Sequence, residues 1–353
     1  MSGRSSGLSC ATSSPTRWRT TTAYRPTISW RREPGVRLSL AGLGLPFVDN
    51  GDVVSVPVFR PDLVGVLCSP SSPGPHPAVL VVGGSEGAIP ECAAKRLAQE
   101  GFAALAVAFF GVGSLPRDLV EIPLEYFAGA LDWLAQRPEA DPGRLTVVGR
   151  SRGGELALLL AAAYPERIKG VVAYVPSSVV WQAVPSDPRA MLGAPRSSWS
   201  RDGVPVPFVA MPPPTAADAA QFRGFLSGEP VAFRPAFERA MTQWDAVVDA
   251  TIEVERINGP VLVLSGGQDQ LWPSELFAER IVERLVAHGH RFPHEHLRYP
   301  GAGHRLGVPG AVLRQRRAGF DRLLMGGTPE SDEDASRDSW PQVLDFIARA
   351  GAS

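Results

Sequence analysis

The segment that decides the fold reads Leu145-Thr-Val-Val-Gly-Arg-Ser-Arg-Gly-Gly-Glu155. A short apolar run leads into Ser151, which lies between Gly149 and Gly153 in the pattern Gly-x-Ser-x-Gly. Glycine is needed at both flanks when a strand turns sharply into a helix, because a side chain there would collide with neighbouring backbone. The segment therefore predicts a strand, a tight turn that presents Ser151, and a helix, an arrangement known as a nucleophile elbow.

Two downstream residues complete a candidate catalytic set. Asp269 stands in Ser-Gly-Gly-Gln-Asp after one apolar strand, and His304 stands in Pro-Gly-Ala-Gly-His after the next. The order Ser, Asp, His along the chain is the order found in α/β hydrolases. We predict that Ser151 is the nucleophile and that His304 is its base. Asp269 would hold the imidazole tautomer and stabilise the imidazolium.

An oxyanion hole should come from backbone N–H groups, because negative charge develops on the substrate oxygen only in the transition state. We predict that the Arg152 amide is one donor. The loop Gly83-Gly-Ser-Glu-Gly87 should supply the other, from the Ser85 amide first and the Glu86 amide next. Such a loop can also cradle the phosphates of a dinucleotide, but the spacing Gly-x-Gly-x-x-Gly is absent here. No cofactor is therefore expected.

Apolar segments alternate with helical ones along most of the chain. Continuous apolar strands separated by amphipathic helices suit a parallel sheet that is covered on both faces. The sequence therefore predicts the α/β class and an α/β-hydrolase fold, with a mostly parallel central sheet and helices on both faces. The predicted strands lie at residues 78–82, 102–109, 145–148, 170–175, 260–265 and 296–299, and the predicted helices at 91–100, 124–136, 154–163, 274–287 and 340–350.

Other segments fall outside this alternation. Residues 52–59 and 63–68 predict two antiparallel strands that precede the parallel sheet. Residues 1–46 are rich in Arg, Ser and Thr, so we expect a disordered basic tail before a catalytic domain at 47–353. The Pro- and Gly-rich stretch at about 181–245 predicts a cap-like insertion, and the alternative is a surface excursion with no catalytic role. The acidic residues 330–334 read as a solvated linker.

Composition excludes several classes of protein. The formal net charge of -1 gives no sign of a nucleic-acid partner. No apolar run approaches the ~20 residues of a membrane helix. Three widely spaced cysteines suit a reducing cytoplasm, although Arg31-Arg32 before a short apolar run leaves export as an alternative. Four histidines lie close together near residue 290, and they are His288, His290, His294 and His296. Their spacing indicates solvated side chains rather than a metal site, so no metal is expected.

Two arginines flank the candidate nucleophile. Arg152 is expected to begin a helix and to face solvent. Arg150 needs a partner if it is buried, and Glu155 is a candidate for that role. Together the two cations could attract an anionic substrate, such as a coenzyme A phosphate.

From about Phe47 to its C-terminus the chain resembles the catalytic domain of acyl-coenzyme A thioesterases and bile acid-CoA:amino acid N-acyltransferases. Its Leu-Glu-Tyr-Phe helix and its Ser-Arg-Gly-Gly-Glu elbow are more specific than the general hydrolase pattern. The resemblance puts the family's nucleophile on Ser151, its acid on Asp269 and its base on His304. The matching segments are residues 101–110, 115–116, 123–127, 149–155, 267–269, 272–274, 299–304 and 326–329.

Two departures from the family pattern matter for function. Family members usually carry an N-terminal β-sandwich, whereas only the predicted hairpin at 52–68 precedes the core here, so strict coenzyme A specificity stays open. The conjugating acyltransferases use a cysteine nucleophile, and the serine here therefore favours hydrolysis over amino-acid conjugation.

The sequence thus predicts a serine hydrolase that cleaves a small-molecule acyl thioester or ester through a Ser151 acyl-enzyme. One alternative is an acyltransferase that passes the acyl group to an amine or alcohol. Another is a small-ester hydrolase of the dienelactone type, and a third is a hydrolase fold used only for binding. The sequence makes no prediction of the oligomeric state.

Overall fold

The computed structural model describes residues 47–49, 52–187, 193–311 and 322–351. The predicted disordered tail at 1–46 lies outside these residues. The strands are β1 (Phe47–Asp49), β2 (Val53–Arg60), β3 (Leu63–Pro70), β4 (His76–Val82), β5 (Ala103–Ala108), β6 (Ile122–Pro123), β7 (Ala140–Arg150), β8 (Gly170–Tyr174), β9 (Trp199–Arg201), β10 (Val204–Pro205), β11 (Val261–Gly266) and β12 (His294–Tyr299). The helices are α1 (Glu91–Gln99), α2 (Leu124–Ala135), α3 (Arg152–Ala163), α4 (Ala216–Leu226), α5 (Arg234–Ala240), α6 (Trp244–Ala250), α7 (Ser274–Ala287) and α8 (Pro329–Arg349).

Nine of these strands form one sheet, in the order β1-β2-β3-β5-β4-β7-β8-β11-β12. The pairs from β5 to β12 are parallel, and the pairs that join β1, β2, β3 and β5 are antiparallel. The predicted mostly parallel sheet and its leading hairpin are therefore confirmed. In such a sheet the carboxyl ends of neighbouring parallel strands meet at one edge, and ligands bind at that edge.

Both faces of the sheet are covered. Alternate residues of β4 point to opposite sides, so Leu80 and Val82 join one core cluster while Val79 and Val81 join the other. The first cluster packs the sheet against α2, α3 and α7, and the second packs it against α1 and α8. Burial on both sides explains why these strands read as continuous apolar runs rather than as alternating ones.

The end of the chain differs from its prediction. Helix α8 begins at Pro329 and includes the acidic residues that the sequence placed in a solvated linker. Thr328 and Ser331 form a capping box, and acidic side chains in the first turn suit the positive end of the helix dipole. Asp332 is buried, with 4% of its surface exposed. The linker prediction is wrong because the charges stabilise a helix start.

The insertion at 181–245 is more regular than its composition indicates. Strand β9 pairs with β6 on one side and with β10 on the other in a separate three-stranded sheet, and α4, α5 and α6 follow. Two of its side chains, Trp181 and Trp199, are fully buried. Trp181 packs edge-on against Phe237 at a ring distance of 4.7 Å. These helices are short, so they carry little of the periodicity that identifies longer ones.

Candidate active site

The elbow has the backbone that its sequence predicts. Ser151 lies between β7 and α3 with φ 59° and ψ −122°, a conformation that non-glycine residues rarely adopt outside functional sites. A Cβ added at Gly149 would lie 1.9 Å from the Gly153 carbonyl oxygen, and one at Gly153 would lie 2.4 Å from the Gly83 oxygen. The turn therefore closes only with glycine at both flanks.

The structure brings the three predicted residues into one hydrogen-bonded chain. His304 Nε2 lies 2.8 Å from Ser151 Oγ, and His304 Nδ1 lies 2.8 Å from Asp269 Oδ2. The exposed fractions of the three residues are 7% for Ser151, 1% for His304 and 0% for Asp269. An ionised carboxylate can only accept, so this network assigns the proton to Nδ1 and leaves Nε2 to accept from the serine hydroxyl.

Backbone contacts orient Asp269. Its second oxygen, Oδ1, accepts hydrogen bonds from the N–H groups of Leu271 at 2.9 Å and Trp272 at 3.2 Å. Arg234, which begins α5 of the insertion, donates from Nη1 to the Asp269 carbonyl oxygen at 3.0 Å. The carboxylate therefore has a partner on each oxygen, and one of those partners is the imidazole.

His304 is held by groups from three parts of the chain. The backbone N–H of His304 donates to the Met325 carbonyl oxygen at 2.8 Å, and the backbone N–H of Gly303 donates to Asp332 Oδ1 at 2.5 Å. The Trp272 ring packs edge-on against the imidazole, with ring centres 5.5 Å apart. Burial raises the pKa of Asp332, and the Gly303 N–H bond opposes that rise. The sequence prediction missed Asp332 because it read this segment as solvated.

The loop after β4 borders Ser151. A Cβ added at Gly84 would lie 3.3 Å from the Arg150 carbonyl oxygen and 3.4 Å from Ser151 Cβ, so this loop lies in contact with the elbow. Glu86 folds back over the loop and accepts from the Gly84 N–H at 2.8 Å. Arg152 is the first residue of α3, and the N–H groups of a first turn have no acceptor within their helix. The predicted oxyanion donors, the Ser85 and Arg152 amides, stay predictions.

The side chain of Arg152 does not face solvent, contrary to prediction. It is 4% exposed and forms an ion pair with the fully buried Glu155, at 3.1 Å. Glu155 also accepts from Trp199 Nε1 at 2.8 Å and from the Trp181 N–H at 3.4 Å. Burial raises the pKa of Glu155, and the guanidinium and the indole N–H oppose that rise.

This pair connects the elbow helix to the insertion. Arg152 Nη2 donates to the Gln182 carbonyl oxygen at 2.9 Å, so both members of the pair reach the segment that carries Trp181. Glu155 is thus the partner of Arg152 and not of Arg150. Arg150 is half-buried and donates from Nη1 to the His304 carbonyl oxygen at 2.9 Å.

The histidines near residue 290 have structural partners. His290 Nε2 lies 3.0 Å from the Gly259 carbonyl oxygen, and His296 Nε2 lies 2.7 Å from Ser265 Oγ. His290, His294 and His296 are half-buried, whereas His288 is exposed. No group of three or more His, Cys, Asp or Glu residues in the described part of the chain could hold a metal ion.

A small cavity lies beside the elbow. Its volume is about 40 Å³, and it borders Gly149, Arg150 and the loop after β4. The rest of its wall is mainly apolar and includes Val148 and Val308.

Among the helices of the described residues, none is both long and apolar enough to cross a membrane.

Comparison with known proteins identifies the family. The family model described as BAAT / Acyl-CoA thioester hydrolase C terminal matches residues 122–352. Human acyl-coenzyme A thioesterase 6 is 29% identical over 325 residues, which cover 89% of this chain and 69% of the relative. Mouse peroxisomal succinyl-coenzyme A thioesterase is 27% identical over 301 residues, covering 83% of this chain and 65% of the relative.

Solved structures agree on the fold. A protein described as a dienelactone hydrolase from Klebsiella pneumoniae superposes with a TM-score of 0.50 and 18% identity, covering 84% of this chain and 99% of its own. The chain spans about two thirds of the length of the thioesterases it matches. With more than half of its residues matched by the family model, this chain belongs to the BAAT / acyl-CoA thioester hydrolase C-terminal family.

Proposed function

We propose that this protein is a serine hydrolase that cleaves an acyl thioester of the acyl-coenzyme A type, or a related ester, through a Ser151 acyl-enzyme. The observation that carries the proposal is the position of His304, within 2.8 Å of both Ser151 Oγ and Asp269 Oδ2. A serine hydroxyl becomes an effective nucleophile when a base takes its proton during attack. His304 is the base, and Asp269 keeps its acceptor nitrogen towards the serine.

Acylation begins when Ser151 Oγ attacks the acyl carbon while His304 Nε2 takes the hydroxyl proton. The carbonyl electron pair moves onto oxygen, and the Asp269 carboxylate offsets the charge of the new imidazolium. When the oxyanion collapses, the bond to the leaving group breaks, and His304 returns its proton to the thiolate or alkoxide. A water molecule, deprotonated by His304, then attacks the acyl-enzyme, releases the acid and restores the Ser151 hydroxyl.

Two backbone amides stabilise the oxyanion in this proposal. The Arg152 N–H lies at the start of α3, where the helix dipole also favours negative charge. The Ser85 N–H belongs to the loop whose Gly84 borders the serine. Donors arranged before the reaction lower the barrier because they need no reorganisation as charge develops.

The insertion at 181–245 acts as the cap in this proposal. This role is supported by contacts between the insertion and the proposed catalytic residues, rather than by the composition of the insertion. Arg234 donates to the Asp269 carbonyl oxygen, and the segments around Trp181 and Trp199 bond to Glu155, four residues after the nucleophile. A segment anchored at both places lies beside the acid and the elbow, where it can shape the acyl site.

The test measures thiol release from acetyl-, butyryl- and palmitoyl-coenzyme A, beside the matching p-nitrophenyl esters, in the wild-type protein and in Ser151→Ala. A matched control is Ser265→Ala, because Ser265 also bonds to a histidine, His296, at 2.7 Å. That pair has no carboxylate contact among the described residues, and Ser265 is 0% exposed, so the control should keep full activity.

Thioester cleavage that depends on Ser151 and exceeds ester cleavage supports the proposal. Ester cleavage alone would replace the thioesterase with a carboxylesterase of the dienelactone type. If neither substrate is cleaved, adding glycine or taurine as acceptor tests acyl transfer. An inert Ser151 towards a fluorophosphonate probe would overturn the enzyme mechanism and leave a binding role.

A further inference from the structure

Arg150 makes a contact that the proposed mechanism does not use. It is the residue immediately before the nucleophile, and its Nη1 donates to the carbonyl oxygen of His304 at 2.9 Å, across 154 positions of the chain. The strand that carries the nucleophile is therefore bonded directly to the backbone of the base.

The other contacts of the base come from elsewhere in the fold. The His304 N–H is held by Met325, and the Gly303 N–H by Asp332 in α8. These groups place the base loop, residues 300–307 after β12, relative to the C-terminal part of the chain. The Arg150 bond places it relative to Ser151, the residue whose proton the base must accept.

The base loop also leaves room for the arginine. Gly307 lies against the Arg150 stem, and a Cβ added there would lie 3.0 Å from Arg150 Cδ. Gly307 has no positive φ, so the absence of a side chain is not explained by backbone strain. An alanine at 307 would displace the stem by a few tenths of an ångström while leaving the guanidinium in the protein.

We propose that Arg150 is a positioning residue, which holds the His304 backbone so that Nε2 stays within hydrogen-bond distance of Ser151 Oγ. The proposal rests on the proposed function. A hydrogen bond from a charged donor is roughly twice as strong as a neutral one. Misplacing a catalytic group by about 1 Å can lower the rate by about 10²-fold.

The experiment compares Arg150→Met, Arg150→Lys, Gly307→Ala and the double variant Arg150→Met/Gly307→Ala with wild-type protein. The substrates are p-nitrophenyl butyrate and butyryl-coenzyme A. For Arg150→Met we expect kcat to fall by about 10- to 100-fold, with KM within about twofold of wild type. Arg150→Lys keeps a donor and should recover part of the loss.

The glycine variant tests the geometry separately from the charge. Gly307→Ala alone should lower kcat by a smaller factor. In the double variant its effect should vanish, because the guanidinium whose hydrogen bond it weakens is already gone; such non-additivity marks residues that act through one contact. Independent effects that simply multiply would overturn the proposal.

The matched control is Arg144→Met. Arg144 also lies on β7, and its Nη2 donates to the backbone carbonyl oxygen of Ala348 at 2.5 Å, far along the chain from the base loop. Its loss should leave kcat unchanged. If Arg150→Met and Arg144→Met behave alike, Arg150 has no positioning role.

A spectroscopic readout separates failure of this inference from failure of the proposed function. The His304 Nδ1 proton, bonded to Asp269, should give a downfield proton resonance in wild-type protein that does not depend on any substrate. We expect that resonance to broaden or disappear in Arg150→Met and to persist in Arg144→Met. An unchanged resonance in Arg150→Met overturns the inference, even if no probe is cleaved by the wild type.

Discussion

Replacing Asp269 with asparagine should abolish most of the activity, because the change should switch the tautomer of His304. The carboxylate Oδ1 accepts from two backbone N–H groups, those of Leu271 and Trp272, and Oδ2 faces His304 Nδ1 at 2.8 Å. An asparagine amide has one acceptor oxygen and one donor nitrogen. If the NH₂ faced the backbone, it would lie against the N–H groups of Leu271 and Trp272, which are also donors. The amide oxygen therefore stays on the backbone side, and the NH₂ faces His304.

The consequence follows from that orientation. The amide donates to Nδ1, the imidazole proton moves to Nε2, and Nε2 can no longer accept the Ser151 proton. A neutral imidazole in the wrong tautomer costs about 10⁴ in kcat in the well-studied triad, which corresponds to about 5 kcal/mol in the barrier. Both backbone bonds survive, so the variant should stay folded and its KM should change little.

The assay is hydrolysis of p-nitrophenyl butyrate together with the rate of inactivation by a fluorophosphonate probe. Asp338→Asn is the matched control, because that exposed carboxylate bonds to the Tyr299 hydroxyl outside the site. Its kcat should equal that of wild type. If Asp269→Asn keeps more than about a tenth of the wild-type kcat, Asp269 does not set the tautomer and the assignment of the triad acid is wrong.

Three further predictions concern stability. Glu155→Gln leaves the Arg152 cation buried without its counter-charge, and the free energy of unfolding in urea should fall by about 3–5 kcal/mol. Burial and a neighbouring cation lower the pKa of His296 from 6.5 to about 4, so the neutral ring is favoured in the folded state. The contribution of the neutral His296 ring to the free energy of unfolding is complete above pH 6.5, and it is lost as the pH falls towards 4. Allowing for partial exposure, about 1–2 kcal/mol of this pH dependence should disappear in His296→Gln. Gly149→Ala places a Cβ 1.9 Å from the Gly153 oxygen, and its unfolding free energy should fall by more than about 3 kcal/mol.

Each of these predictions has a control. Glu253→Gln removes an exposed ion pair and should cost at most about 1 kcal/mol, so an equal loss in both glutamate variants would contradict the buried-charge argument. His288 is exposed, so His288→Gln is the control for His296→Gln, and an equal effect of the two variants would contradict the burial argument. Gly101 has φ 97° with no atom within 4 Å of an added Cβ, so alanine there should cost only about 1 kcal/mol of strain.

Local pattern was sufficient for most of the fold. Strand and helix positions follow from apolar runs and periodicity, and α7 begins and ends at the predicted residues, 274 and 287. Glycines at 149 and 153 predict the elbow because the collision that they avoid lies within a few residues. The order of Ser151, Asp269 and His304 predicted their meeting, since each follows a strand that ends at the same edge of the sheet.

Only the tertiary structure determined which charged side chains are buried. Arg152 and Glu155 read as the polar start of a helix, yet the insertion covers them with Trp181 and Trp199, whose N–H groups supply the bonds that a buried carboxylate requires. Asp332, in α8, is also buried, and it accepts from the Gly303 N–H beside His304. Sequence spacing determines which residues follow a strand, but the burial of a charge depends on which distant segment packs over it, and only the folded chain brings those segments together.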